Sequence, residues 1–281
     1  MKLADMIRAY QDEGYGIVQA QAKAAQDVVL INIGASVLKS HVTIKGGVVM
    51  HNISHDRRRA TLDIDFDFIH YALSDESIRA FVKKISTEDF RLEIVGEITE
   101  LRQQDYHGKR VYLRIMDSDG TELQTKLDIG VHNDFSIEQD EYCFDIAYLD
   151  DGPTLLINSK EQMFTEKLRS ILKFGAVSTR YKDMYDMYFL AVLTGINAEK
   201  LRECIRVLIF NDSTMREIPR MSCCDGFIAC LKIEIFAETW RLLRKIGLML
   251  KVALYCRSLR SFFQGFLSTK NKIVDVITCV W

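Results

Sequence analysis

Proline is almost absent: Pro153 and Pro219 are the only two in 281 residues. Helices and strands can run without proline breaks, and no proline-rich linker divides the chain. No run of 18 consecutive apolar residues occurs, so no membrane-spanning helix is expected. The opening Met1-Lys2-Leu3-Ala4-Asp5 is charged and helical in pattern, unlike a secretory signal. A cytoplasmic protein without stable membrane association is the expectation. The seven cysteines are odd in number and lack CxxC spacing, which fits reduced thiols. Adjacent Cys223 and Cys224 have no second ligand pair to complete a zinc site. An excess of either charge is also missing. Lys and Arg total 37 against 39 Asp and Glu, a formal net charge of -2. Any nucleic-acid contact must then come from a local basic surface.

What remains is an ordinary globular composition, 48% hydrophobic and 27% charged, long enough for one large domain or two modest ones. Helical spacing predicts a helix from about Asp12 to Leu38, weakened at its start by Gly14 and Gly16. Val42 to Lys45 reads as a short strand, Val48 to Ile53 as a helix and Ala60 to Phe68 as an acidic strand. Ser74-Asp75-Glu76 opens a helix with Ile78, Phe81, Val82 and Ile85 on one face. Strands are predicted over Arg91 to Glu97, Lys109 to Ile115 and Glu122 to Val131, the last two joined by a turn at Asp117-Ser118-Asp119-Gly120. Two more flank Asp150-Asp151-Gly152, and after Ser159 the pattern is helical. This is an α+β chain: a mixed-sheet domain over 1–158 and a helical C-terminal region over 159–281.

The chemistry concentrates at Lys45-Gly46-Gly47 and Thr61-Leu62-Asp63-Ile64-Asp65-Phe66. On a strand, residues i and i+2 share a face. Asp63 and Asp65 therefore lie together, and their repulsion is relieved by a divalent cation such as Mg²⁺. The two glycines offer backbone N–H groups to a phosphate chain without side chains in the way. Together these features suggest metal-assisted chemistry on a nucleotide. An edge strand with a solvated acidic face, continued by Asp67, would give the same pattern. Asp128, in Lys126-Leu127-Asp128-Ile129, joins the cluster if its strand neighbours the first. Three carboxylates around Mg²⁺ suit nucleotidyl transfer; a solvated hairpin residue is the alternative.

Lys167 borders a helix face formed by Met163, Phe164 and Leu168. A lysine there snorkels, meets an anion such as a triphosphate, or pairs with an acid such as Glu161. Asp183 and Asp186 share a helical face in Arg180-Tyr181-Lys182-Asp183-Met184-Tyr185-Asp186, where Arg180 could pair with Asp183.

In this order the four pieces resemble the AbiEii/AbiGii toxin family of nucleotidyltransferase-like proteins, and more widely the polymerase-β-type nucleotidyltransferases. The likeness runs from about Val42 to Asp186, and more loosely to Glu217. Gly46, Gly47, Thr61, Asp63, Asp65 and Phe66 match its first motif, Asp128 its second and Lys167 its third. Arg180, Lys182, Asp183 and Asp186 match its fourth. The resemblance implies a nucleotidyltransferase-like sheet domain in a toxin of a toxin–antitoxin or abortive-infection system. It implies Mg²⁺-dependent transfer of NMP from a nucleoside triphosphate to RNA, with the tRNA acceptor end as acceptor and a cognate antitoxin as partner. Catalytic roles fall on Asp63, Asp65, Asp128, Lys167 and Asp183. Metal falls to Asp63, Asp65 and Asp128, with Asp128 open between ligand and general base. Nucleotide binding falls to Gly46, Gly47, Thr61, Lys167 and Arg180. NMP transfer to a protein side chain and a non-catalytic NTP- or antitoxin-binding module are the competing readings.

His51, His55 and Arg57-Arg58-Arg59 lie between the halves of the first motif, either touching phosphate or RNA or forming a solvated basic loop. Beyond about Met215 the likeness stops. Between Thr239 and Val274 there is no acid, while Arg241, Arg244, Lys245, Lys251, Arg257, Arg260, Lys270 and Lys272 are basic. That segment reads as a basic face for RNA phosphates, an amphipathic membrane-surface helix, or a divergent end packed on the core.

Overall fold

A computed structural model describes residues 2–101, 108–147, 149–174, 181–212 and 215. They fall into two compact units, Met1–Met163 with Glu199–Val207, and Phe164–Ala198 with residues from Leu208 on.

Two helices open the first unit, α1 (Leu3–Asp12) and α2 (Ile17–Ala35). The helix expected from Asp12 to Leu38 is α2, which starts only at Ile17, past the two glycines that weaken that stretch. Gly14 sits at φ +91°, where an L side chain is strained, and a Cβ there would strike the Arg57 guanidinium. β1 (Val42–Lys45) runs directly into α3 (Gly46–Ser54), and β2 (Asp63–Phe68) follows. α4 (Asp75–Ile85) starts where the sequence predicts, with Ser74 Oγ accepting from the Ser77 N–H at 3.1 Å. Its buried residues are Ile78, Phe81, Val82 and Ile85, the predicted face.

β3 (Phe90–Glu100), β4 (Lys109–Asp117) and β5 (Glu122–Val131) are antiparallel neighbours. The β4–β5 turn is organised by Asp117, whose Oδ1 accepts from the N–H groups of Asp119 and Thr121. Its Oδ2 accepts from the Leu3 N–H at 2.9 Å, fastening the turn to the start of α1. β6 (Gln139–Cys143) and β7 (Thr154–Asn158) flank Asp150-Asp151-Gly152 as expected.

All seven strands form one mixed sheet in the order β3-β4-β5-β2-β1-β7-β6. β2 pairs in parallel with β5, and β1 in parallel with β7; the remaining pairs are antiparallel. The acidic strand is therefore central, which removes the edge-strand alternative. Strand alternation sends Ile44, Ile64, Phe66, Phe68, Leu127, Ile129, Val111, Leu113 and Ile157 to one buried face. α2 and α4 pack against it; the Phe81 ring of α4 lies 5.6 Å from Phe66 and 5.1 Å from Phe68. The opposite face carries Lys45, Asp63, Asp65, Asp67, Lys126, Asp128 and Arg110.

Among the described residues after Ser159, the helices are α5 (Lys160–Phe174), α6 (Tyr181–Tyr188) and α7 (Ala198–Ile205), with wider helical turns at Phe189–Thr194 and Arg206–Phe210. Among the described residues, no helix is long and apolar enough to cross a membrane. Cys223, Cys224 and the basic segment from Arg241 to Lys272 lie outside the described residues.

Candidate active site

The junction of β1 and α3 is built from two glycines that tolerate no substitution of side chain. Gly46 is at φ +70°, and a Cβ on it would collide with Asp65 Oδ2. A Cβ on Gly47 would lie 2.7 Å from Thr61 Cβ and 2.8 Å from its Cγ2. Gly46 and Gly47 thus sit hard against Asp65 and Thr61, at the start of a helix whose first N–H groups lack intrahelical acceptors. Thr61 is itself held, its carbonyl accepting from Gln26 Nε2 of α2 at 2.8 Å.

The register brings the expected acids together. Asp65 faces Lys45 across the β1–β2 pair and Asp128 across the β2–β5 pair, while Asp63 faces Lys126. Most of these carboxylates have a cation. Lys45 Nζ donates to Asp67 Oδ1 at 2.5 Å, both groups buried. Lys126 Nζ lies 2.9 Å from Asp63 Oδ1 in a more exposed pair. Arg110 Nε and Nη2 each donate at 2.8 Å to the two oxygens of Asp128. Asp65 differs: among the described residues, none makes an ion pair or hydrogen bond with its carboxylate. Burial pushes its pKa up to about 6; Lys45 opposes the shift, and the charges of Asp128, Asp63 and Asp67 add to it.

The donor chemistry suits Mg²⁺. Asp63 and Asp65 offer hard oxygens on one face, Asp65 has no direct ion-pair partner among the described residues, and a Cβ would fill the space against Gly46. Among the described residues, no three His, Cys, Asp or Glu already converge as ligands, because Asp128 is turned onto Arg110 and Asp63 onto Lys126. Arg110 was not anticipated from the sequence. Its only signal was the alternation Arg110-Val111-Tyr112-Leu113-Arg114, which puts basic side chains on one face of β4.

Lys167 and Asp183 belong to the second unit. Lys167 Nζ lies 2.7 Å from Asp186 Oδ2 and 3.1 Å from Asp183 Oδ1, and Asp186 is fully buried. The acids on the lysine are thus the two that share a face of α6, rather than Glu161. Arg180 lies outside the described residues.

The basic stretch between the motif halves is not a uniformly solvated loop. His51 and Arg59 are buried, Arg58 forms a two-pronged pair with Asp56, and Arg57 donates to the Glu13 carbonyl.

A family model described as "Nucleotidyl transferase AbiEii toxin, Type IV TA system" matches residues 29–245, well over half of the chain. This chain belongs to the AbiEii family. It is a nucleotidyltransferase, the toxin of a toxin–antitoxin system. No curated protein matches it. Among solved structures, the AbiEii chain is similar to an antigenic nucleotidyltransferase-like protein from Paracoccidioides brasiliensis. The two are 15% identical, with 72% of this chain and 94% of that one covered at a TM-score of 0.42. It is also similar to the antibiotic-resistance factor ANT(2'')-Ia, at 16% identity, 66% and 92% coverage and a TM-score of 0.41.

Proposed function

We propose that this AbiEii nucleotidyltransferase transfers NMP from a nucleoside triphosphate to RNA, at the acceptor end of tRNA, in a Mg²⁺-dependent reaction in the cytoplasm. The observation that carries the reading is Asp65, a half-buried carboxylate with no direct cation partner among the described residues, pressed against Gly46 at the start of α3 and adjacent to Asp63 and Asp128. In this reading the sheet domain of residues 1–158 carries the chemistry and the helical region of 159–281 supports it.

Asp63 and Asp65 would hold Mg²⁺, which when bound offsets triphosphate charge and lowers the pKa of an attacking hydroxyl. Gly46 and Gly47, with Thr61 beside them, receive the phosphates through backbone N–H groups. Lys167 and Arg180 add positive charge to the triphosphate, and Asp183 orients Lys167 through their ion pair. An acceptor hydroxyl oxygen bonds to the α-phosphorus, the bond to the bridging oxygen breaks, and pyrophosphate leaves. Asp128 serves as ligand or as base once Arg110 releases at least one of its oxygens. A cognate antitoxin is the expected partner.

The test is incubation of the purified protein with total RNA, Mg²⁺ and each labelled NTP, beside Asp63→Ala. Label on tRNA-sized RNA, lost in the variant, is the expected result and names the nucleotide. Protease-sensitive label would move the acceptor to a protein side chain. NTP binding with no transfer would leave a binding module.

A further inference from the structure

The C-terminal half of α3 lines a second cavity, about five residues along the helix from Gly46 and some 8 Å at the α-helical rise. Its volume is about 370 Å³, within the range of small-molecule sites. Helix α2 contributes Lys23, which is only 5% exposed. α1 and the turn after it contribute Tyr10, Glu13 and Tyr15, and the stretch after β6 contributes Asp145.

The polar groups of the wall satisfy one another. Tyr10 hydroxyl donates to Asp27 Oδ2 and accepts from the Ala147 N–H. Burial holds His51 at a pKa of about 4, so its ring is neutral at pH 7. Nδ1–H then donates to the Asp56 carbonyl at 3.1 Å, and Nε2 accepts from the Tyr15 hydroxyl at 3.1 Å. Asn52 donates to the Val48 carbonyl and accepts from the Asp145 N–H. Lys23 is the exception. Its ammonium lies 4.9 Å over the Tyr10 ring and feels the charge of Asp27, yet it has no hydrogen-bond acceptor among the described residues. The ammonium nitrogen is not sealed in the fold but open to the cavity, and an oxyanion entering there would accept from it.

The mouth narrows the class of ligand. It is lined by exposed Glu13 and Asp145 as well as Arg57 and His55. A dianionic phosphate would be driven toward Lys23 past two carboxylates, with Asp27 behind. A molecule with a single carboxylate at one end and an ammonium at the other matches floor and mouth together. We propose that this cavity binds a small zwitterion of the amino-acid class, its carboxylate on Lys23 and its ammonium facing Glu13 and Asp145. The site is separate from the carboxylate face of the sheet and does not depend on the transfer reaction proposed above.

Calorimetric titration of the full-length protein with each standard amino acid, inorganic phosphate and spermidine tests it. Binding of at least one amino acid is expected, with Kd at least tenfold weaker in Lys23→Met. Glu13→Gln and Asp145→Asn lie at the exposed mouth, so the fold should survive them; each is expected to weaken binding several-fold. These two keep the test open if Lys23→Met fails to fold. Phosphate or spermidine binding without amino-acid binding would overturn the proposal. Equally, no binding at all, or amino-acid binding that ignores the mouth variants, would reduce the cavity to a solvent-filled polar contact.

Discussion

The carboxylate face at Gly46 and the cavity at Lys23 centre on charged groups of opposite sign and are alike in construction. On the sheet, Asp67, Asp63 and Asp128 each have a cation partner and Asp65 has none among the described residues. In the cavity, Tyr10, Tyr15, His51 and Asn52 are hydrogen-bonded to side chains or backbone, and Lys23 has no acceptor among the described residues. In each place one charged side chain lacks, among the described residues, the direct partner that its neighbours have. The difference teaches how to separate structural from binding groups. Asp67 and Asp65 sit two residues apart on one strand face, and only the first is neutralised from within the fold.

The largest break in this comparison is expected at the neutralised acid. Lys45→Met leaves Asp67 buried and unpaired, which should destabilise the protein by about 3–5 kcal/mol in urea unfolding. Lys45→Met with Asp67→Leu should recover most of that loss, because neither charge is then stranded.

Asp65→Asn should do the reverse. Removing the uncompensated charge stabilises the metal-free protein at pH 8 by up to about 3 kcal/mol, since a pKa near 6 replaces 3.8. The sign follows from proton uptake. The native carboxylate binds its proton first as pH falls, so its cost is full above pH 6, shrinks through the interval to 3.8 and is gone below. The gain from Asp65→Asn should fade over that window, measured by urea midpoints between pH 8 and pH 4. Label transfer should fall roughly a hundredfold or more in the same variant. A variant both less stable at pH 8 and fully active would sink the contrast between the two acids.

The smallest effect is expected at Lys126. Its pair with Asp63 is partly exposed, so Lys126→Gln should shift stability by less than about 1 kcal/mol. A shift of several kcal/mol would mean that Asp63 depends on Lys126 as Asp67 depends on Lys45.

Much of the fold was legible because its signals are local. The Ser74 cap and the apolar spacing of Ile78, Phe81, Val82 and Ile85 define α4 from neighbours within three or four residues. Strand alternation put Asp63 and Asp65 on one face before any partner was known. The late start of α2 at Ile17 agrees with Gly14 and Gly16, which weaken a helix at those positions. Gly14 itself sits at φ +91°, a backbone conformation that an L side chain rarely adopts. The bidentate grip of Arg110 on Asp128 is not legible in the sequence, because it exists only across a strand pair.

By itself, then, the sequence determined the elements, the shared face of Asp63 and Asp65, the glycine pair and the family motifs, all features of short periodicity. Tertiary structure decided that β2 is central, that β5 runs parallel beside it and delivers Asp128 to Asp65, and that Lys167 meets Asp183 and Asp186. It also decided which charges are cancelled and which are left over. Charge compensation depends on distance through space and on burial, and neither is a function of spacing along the chain.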